Sequence, residues 1–178
     1  MVAVISNTSV SLSESQNQQI VDLYLKRFDI VNRETPCMQS FSREQLLDAL
    51  VDESIVKLLS FDELGFVCGF GMMTLDISKV PWLSIPYFQF QFVEEYQKGL
   101  IGYMLTIVVA PQASRQIVSE VIREAIKQVP VGGICCFDYC ENVNGLLPLL
   151  INRTCKDLVA KEGINIVSKQ AYAIFRRN

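Results

Sequence analysis

The chain has no histidine, and that fact bounds its chemistry before anything else does. Ser-His-Asp and Cys-His catalysis, histidine metal sites and phosphohistidine transfer within one chain are excluded. Any general base must be a carboxylate, a tyrosine, a lysine, a cysteine or a relayed water. The side chains that remain are few. Tyr103 sits in a strongly apolar run, where burial in a core with a satisfied hydroxyl is the plain reading and a proton-handling phenol the functional one. Glu94 and Glu95 open a polar stretch that reads as a solvated turn; at the mouth of a cleft, either would relay a proton from an amine through water. Arg115 lies where a first-turn helix residue would meet either solvent or a phosphate. Six cysteines stand at 37, 68, 135, 136, 140 and 155, and no two form a Cys-x-x-Cys pair. They read as reduced thiols acting as small buried hydrophobes, with a metal or redox role for Cys135, Cys136 and Cys140 as the alternative.

Those residues need a scaffold, and 178 residues with 50% hydrophobic content are enough for one domain spanning 1–178 with its own core. Sixteen Lys and Arg against nineteen Asp and Glu give a net charge of -3, leaving no basic excess to neutralise a phosphate backbone, so nucleic acid is not an expected partner. The N-terminus lacks the basic and apolar regions of a signal peptide. The most apolar run, residues 100–110, is about half of the roughly 20 residues that span a bilayer. A cytoplasmic protein without membrane attachment is expected.

The elements follow from periodicity and punctuation. Residues 2–5 form a short strand. Ser13 with Gln16, and Ser42 with Gln45, are capping boxes opening two helices; the first carries Ile20, Tyr24, Phe28 and Val31 at helical spacing. Residues 55–61 and 66–77 read as strands around an Asp62-Glu63-Leu64-Gly65 turn. Phe88, Phe90 and Phe92 alternate with glutamines, the pattern of a half-buried strand, and an exposed version of that row would indicate a subunit interface. Residues 94–99 read as a turn. Residues 100–109 are a strand buried on both faces. Ile117, Val121, Ile122 and Ala125 mark a helix over 112–128, residues 134–139 a strand, Asn144 the cap of a helix to about 162 that Gly163 ends, and residues 164–167 and 171–175 closing strands. The expected fold is α+β: a mixed, mostly antiparallel sheet flanked by about four helices. One parallel crossover joins the strands near 105 and 136. A mostly antiparallel sheet with one such crossover must splay somewhere, and a helix N-terminus beside that splay would receive anionic groups.

Three segments then carry a family resemblance. Residues 65–76 (Gly-Phe-Val-Cys-Gly-Phe-Gly-Met-Met-Thr-Leu-Asp), 105–115 (Leu-Thr-Ile-Val-Val-Ala-Pro-Gln-Ala-Ser-Arg) and 152–164 (Asn-Arg-Thr-Cys-Lys-Asp-Leu-Val-Ala-Lys-Glu-Gly-Ile) resemble, in order, the third strand, fourth strand and last helix of the GNAT superfamily of N-acetyltransferases. The resemblance implies acetyl-CoA as co-substrate, a small-molecule or peptide amine as acceptor, and direct attack of the amine on the thioester. It further implies that backbone N–H groups at Val108, Val109 and Ala110 hold the thioester oxygen. Arg115, Gln116, Ile117, Val118 and Ser119 would hold the pyrophosphate, with Asn152 nearby, and Tyr103 and Glu95 would be the catalytic candidates. The chain also departs from the family: Ile117 and Ser119 stand at the glycine positions of the phosphate loop, where a β-branched residue crowds a phosphate. Val159 stands where many members have an acid tyrosine. A catalytically inactive GNAT-like binding or structural protein is the alternative, and on either reading a homodimer is among the expected partners.

Overall fold

The computed structural model describes residues 4–7, 12–34, 40–114, 116–139, 149–151, 153 and 154. A five-stranded sheet runs in the order β1 (Val4–Asn7), β2 (Ile55–Phe61), β3 (Val67–Thr74), β4 (Ile101–Val109), β5 (Ile134–Phe137). Neighbours pair antiparallel except β4 and β5, which are parallel. The chain reaches β5 from β4 through α5 (Gln116–Gln128), the crossover expected from the sequence.

Both faces are covered. On one, α1 (Glu14–Glu34) and α2 (Arg43–Val51) set Ile20, Tyr24 and Leu46 against Leu59, Phe70 and Val108. Both helices begin in the capping boxes read from the sequence: Gln16 N–H bonds to Ser13 Oγ at 3.2 Å and Gln45 N–H to Ser42 Oγ at 3.2 Å. Buried Lys57 donates to the carbonyl of Asp52, the C-cap of α2, and burial holds its pKa below the usual lysine value. On the other face, Ile117, Val121 and Ala125 of α5 pack on Val56, Leu58, Met73 and Met104. Glycine makes this close approach possible. A Cβ at Gly69 would stand 2.7 Å from Ile117 Cγ2, and one at Gly71 2.7 Å from Val121 Cγ1. At the β2–β3 turn Gly65 takes φ +81°, while the Asp62 carboxylate accepts from the Leu64 and Phe66 amides.

The segment between β3 and β4 differs from expectation. Phe88, Phe90 and Phe92 do not form a strand, and residues 94–99 are not a simple turn; the chain folds into α3 (Ile85–Gln91) and α4 (Val93–Gln97) after a 3-10 turn at Ile77–Lys79. Two periods coexist in this sequence. The alternation of Phe88, Phe90 and Phe92 suits a strand, but Ile85, Phe88, Phe92 and Tyr96 recur at three- and four-residue steps, and those four pack together in one apolar cluster. Pro86 in the first turn fits a helix start, where its missing N–H costs nothing. Of the last helix, residues 149–151, 153 and 154 are helical. Its proposed cap Asn144, Val159, and the closing strands lie outside the described residues.

Candidate active site

β4 outlasts its neighbour. β5 pairs with it from Ile101↔Ile134 to Met104↔Phe137 and then ends, while β4 runs on through residues 105–109. A register shift at Met72/Met73 marks a bulge in the β3–β4 ladder at the same level, leaving Leu105 without a β3 partner. The outer edge of β4 is therefore open from Leu105 onward among the described residues.

The direction of the backbone groups on that edge follows from one hydrogen bond. The Ala110 N–H donates to the Cys68 carbonyl at 2.9 Å, towards β3. Residues alternate along an antiparallel strand, so Val108 and Thr106 also turn to β3, and the N–H groups of Val109 and Ile107 face the open edge. Of Val108, Val109 and Ala110, one amide, that of Val109, is thus available to a ligand in the gap. Ile107 joins it, a residue that sequence reasoning passed over because strand parity depends on the bulge. Thr106, also beyond the end of β5, has a buried Oγ1 with no hydrogen-bond partner among the described residues. Two hollows of about 210 and 240 Å³ elsewhere, lined by Gln45 and Asp48 in one case and by Tyr96 and Gly99 in the other, do not border residues 105–109.

Where the strands part, a polar chain crosses them. Tyr103, 2% exposed on β4, donates its phenol O–H to the carboxylate of Asp138, the residue immediately after β5. The Trp82 indole N–H donates to the Tyr103 oxygen at 3.0 Å, and Trp82 in turn meets Phe41 edge-on with ring centroids 5.3 Å apart. Burial, and then the Asp138 carboxylate, push the Tyr103 pKa well above the usual phenol value, so the phenol stays protonated at neutral pH. Burial likewise raises the Cys136 thiol to about 11, which keeps it a thiol. Asp138 itself is exposed. Neither Asp138 nor Trp82 was singled out from sequence; the contact joins residues 35 positions apart, and only a strand-end carboxylate between Phe137 and Tyr139 hinted at it.

The other sequence candidates are distributed as follows. Glu95 is a half-buried residue of α4 whose carbonyl accepts from the Leu100 amide at 2.8 Å. That puts its backbone at the start of β4, where β5 is still paired, rather than at the gap. The Ile117 side chain is 2% exposed and lies on Gly69 in the core, so it points away from any loop ligand. The α5 N-terminus caps itself: Ser114 Oγ accepts from the Gln116 amide at 3.2 Å and the Ser114 carbonyl from the Ile117 amide at 3.0 Å. Val118 and Ser119 follow, half-buried, in the same turn. Arg115 and Asn152 lie outside the described residues. Among the described residues no group of three or more Cys, Asp or Glu is gathered as a metal site would need, and no helix is long and apolar enough to cross a membrane.

No family model matches the chain, and no curated protein matches it by sequence. Solved structures do. A probable acetyltransferase superposes with a TM-score of 0.57 at 14% identity, covering 98% of this chain and 99% of the other. An acetyltransferase of Trypanosoma brucei gives 0.52 at 14% identity, with 98% and 100% covered. An aminoglycoside 6′-N-acetyltransferase of Acinetobacter baumannii gives 0.52 at 12% identity, with 100% and 99% covered. At such identities the likeness is one of fold, and it spans both chains almost completely. In its α+β architecture the chain therefore has a GNAT-like fold, the one it shares with the acetyltransferases it superposes on.

Proposed function

We propose that the chain is an acyltransferase that moves an acetyl group from acetyl-CoA to the amine of a small molecule or peptide. The observation that carries this reading is the early end of β5, which leaves residues 105–109 of β4 as an open strand edge. A pantetheine arm is an extended amide chain, and it pairs with such an edge much as an added strand does. The Ile107 and Val109 amides suit its carbonyls. The buried, unpartnered Thr106 hydroxyl is consistent with a polar ligand atom at this level, since leaving it unmade costs about 1–3 kcal/mol.

The thioester supplies an activated carbonyl when bound; the remaining work falls to the protein's own groups. The Ile107 and Val109 N–H groups donate to oxygen along the edge, where a developing negative charge is stabilised without reorganisation. Asp138 accepts the proton that an ammonium must lose before its nitrogen can attack, directly or through a water. Tyr103, held neutral by burial, positions Asp138 through its O–H, and Trp82 positions Tyr103. Glu95 is a second proton acceptor only by a longer water relay. At the phosphate end, the Gln116 and Ile117 amides are already engaged by Ser114, so a pyrophosphate there relies on Arg115, on Val118 and Ser119 behind it, and on release of the Ser114 cap.

That self-capped terminus favours a second reading, a GNAT-like protein that binds partners and transfers nothing. Calorimetry and thermal melts with acetyl-CoA separate the two. On the transferase reading, one equivalent binds, and ligand at 100 times Kd adds about 2.7 kcal/mol, a Tm rise of roughly 5–11 °C for a chain of this size. No heat and no shift at millimolar ligand would leave the binding-protein reading standing alone.

A further inference from the structure

We infer that Thr106 determines acceptor specificity: its hydroxyl selects an amine that carries a hydroxyl of its own close to the nitrogen over a plain alkylamine. The inference rests on the transferase reading above and deepens it. Thr106 stands in an apolar stretch of β4, between Leu105 and Ile107. It is 6% exposed, and its Oγ1 has no hydrogen-bond partner among the described residues. Valine has nearly the same shape and suits a strand at least as well. A hydroxyl that the fold buries and leaves unbonded is a cost to folding and a pairing site for a ligand.

The bulge decides which way this hydroxyl faces. Along the β3–β4 ladder Tyr103 stands opposite Thr74, Met104 opposite Met73 and Thr106 opposite Met72. Directly opposed residues share a face. Met73 and Met104 lie on the α5 side with Val121, and Met72 lies on the α1–α2 side with Tyr24 and Phe70. Leu105 is the extra residue, so Thr106 joins Tyr103 on the face away from α5. Without the bulge, three steps along a strand would put the two on opposite faces. Leu105 packs on that same side, where the clusters beneath α1–α2 and α3–α4 meet.

That face belongs to the acceptor. The acyl donor lies along the outer edge of β4 and leads towards α5, on the other side of the sheet. Asp138, which takes the amine proton, is held by Tyr103. Thr106 immediately precedes Ile107, whose amide donates to oxygen along the edge, and covalent geometry keeps Oγ1 within about 5 Å of that amide nitrogen. The hydroxyl therefore meets what the amine carries beside its nitrogen, not the pantetheine arm. A hydroxyl both donates and accepts, so it pairs with an acceptor hydroxyl in either sense. A methyl group in that place leaves Thr106 unbonded.

The test is steady-state transfer from acetyl-CoA to matched amines: 2-aminoethanol against propylamine, and 1-amino-2-propanol against isobutylamine. The wild type should prefer each amino alcohol by about 10-fold or more in kcat/KM. Thr106→Val should erase the preference and leave the acetyl-CoA Kd unchanged, and Thr106→Ser should keep it. Without ligand, Thr106→Val should melt about 2–4 °C higher, because nothing in the fold bonds the hydroxyl. A Tm equal to or below that of the wild type would overturn the inference. So would a wild type without preference, or a preference that survives in Thr106→Val, and either of these leaves the transferase reading intact. Transfer to neither amino alcohol would also overturn it, and calorimetry with acetyl-CoA then shows whether the transferase reading falls as well.

Discussion

Asp138→Asn is expected to lower the rate of acyl transfer about 10²–10⁴-fold, the usual worth of a positioned general base. The substitution is nearly isosteric and the residue is exposed, so the fold should tolerate it. The loss should fall on kcat rather than on acetyl-CoA affinity, because the Ile107 and Val109 amides are untouched. Tyr103→Phe is the companion variant. It removes the donor that orients Asp138 and leaves the Trp82 N–H without its acceptor, so a smaller loss of activity should come with a cost of about 1–3 kcal/mol in stability. Release of free coenzyme A thiol across a panel of primary amines measures both. Full activity in Asp138→Asn would remove Asp138 from the reaction and return attention to Glu95.

The largest structural effect is expected at Gly71. A valine there must find room for a Cβ 2.7 Å from Val121 Cγ1 and 3.3 Å from the Thr106 carbonyl, before its two methyl groups are counted. The carbonyl belongs to the sheet and cannot yield, and Val121 is fully buried on the sheet-facing side of α5. The helix must lift. Overpacking of this kind costs about 1–3 kcal/mol, which for this length is a Tm loss of roughly 2–12 °C. Because α5 follows directly from the end of β4, ligand binding at the open edge should weaken as well. Val121→Ala made in the Gly71→Val background should recover part of the loss, since the two positions share one contact. Thermal melts of the four proteins form a complete cycle; an unchanged Tm in Gly71→Val would contradict the close packing of α5 on the sheet.

What could be read from the sequence was what local rules control. Ser13 with Gln16 and Ser42 with Gln45 declare their helices within four residues, and the structure forms both caps. The apolar run of β4 and the stripe of Ile117, Val121, Ile122 and Ala125 fix a central strand and the helix beside it, hence the parallel crossover to β5. Misreading began where two periods overlapped. The Phe88, Phe90, Phe92 alternation was as regular as a strand, and only the longer series through Ile85 and Tyr96, with Pro86 in a first turn, marks the helices. For Ile117, the family comparison suggested a residue crowding a phosphate, whereas its own helical stripe already assigned it to the core. Asp138 had no local signature at all. Its meaning comes from Tyr103, a partner distant in sequence, and from the place where β5 stops pairing, which is a property of the folded sheet.

The open edge of β4 is the central claim, and amide hydrogen exchange at Ile107 and Val109 reads it directly. Without ligand these two amides should exchange much faster than those of Val108 and Ala110, which bond to β3. Saturating acetyl-CoA should slow Ile107 and Val109 selectively. Strong protection of both before any ligand is added, or rates unmoved by acetyl-CoA, would show that this edge is closed or does not take the acyl donor.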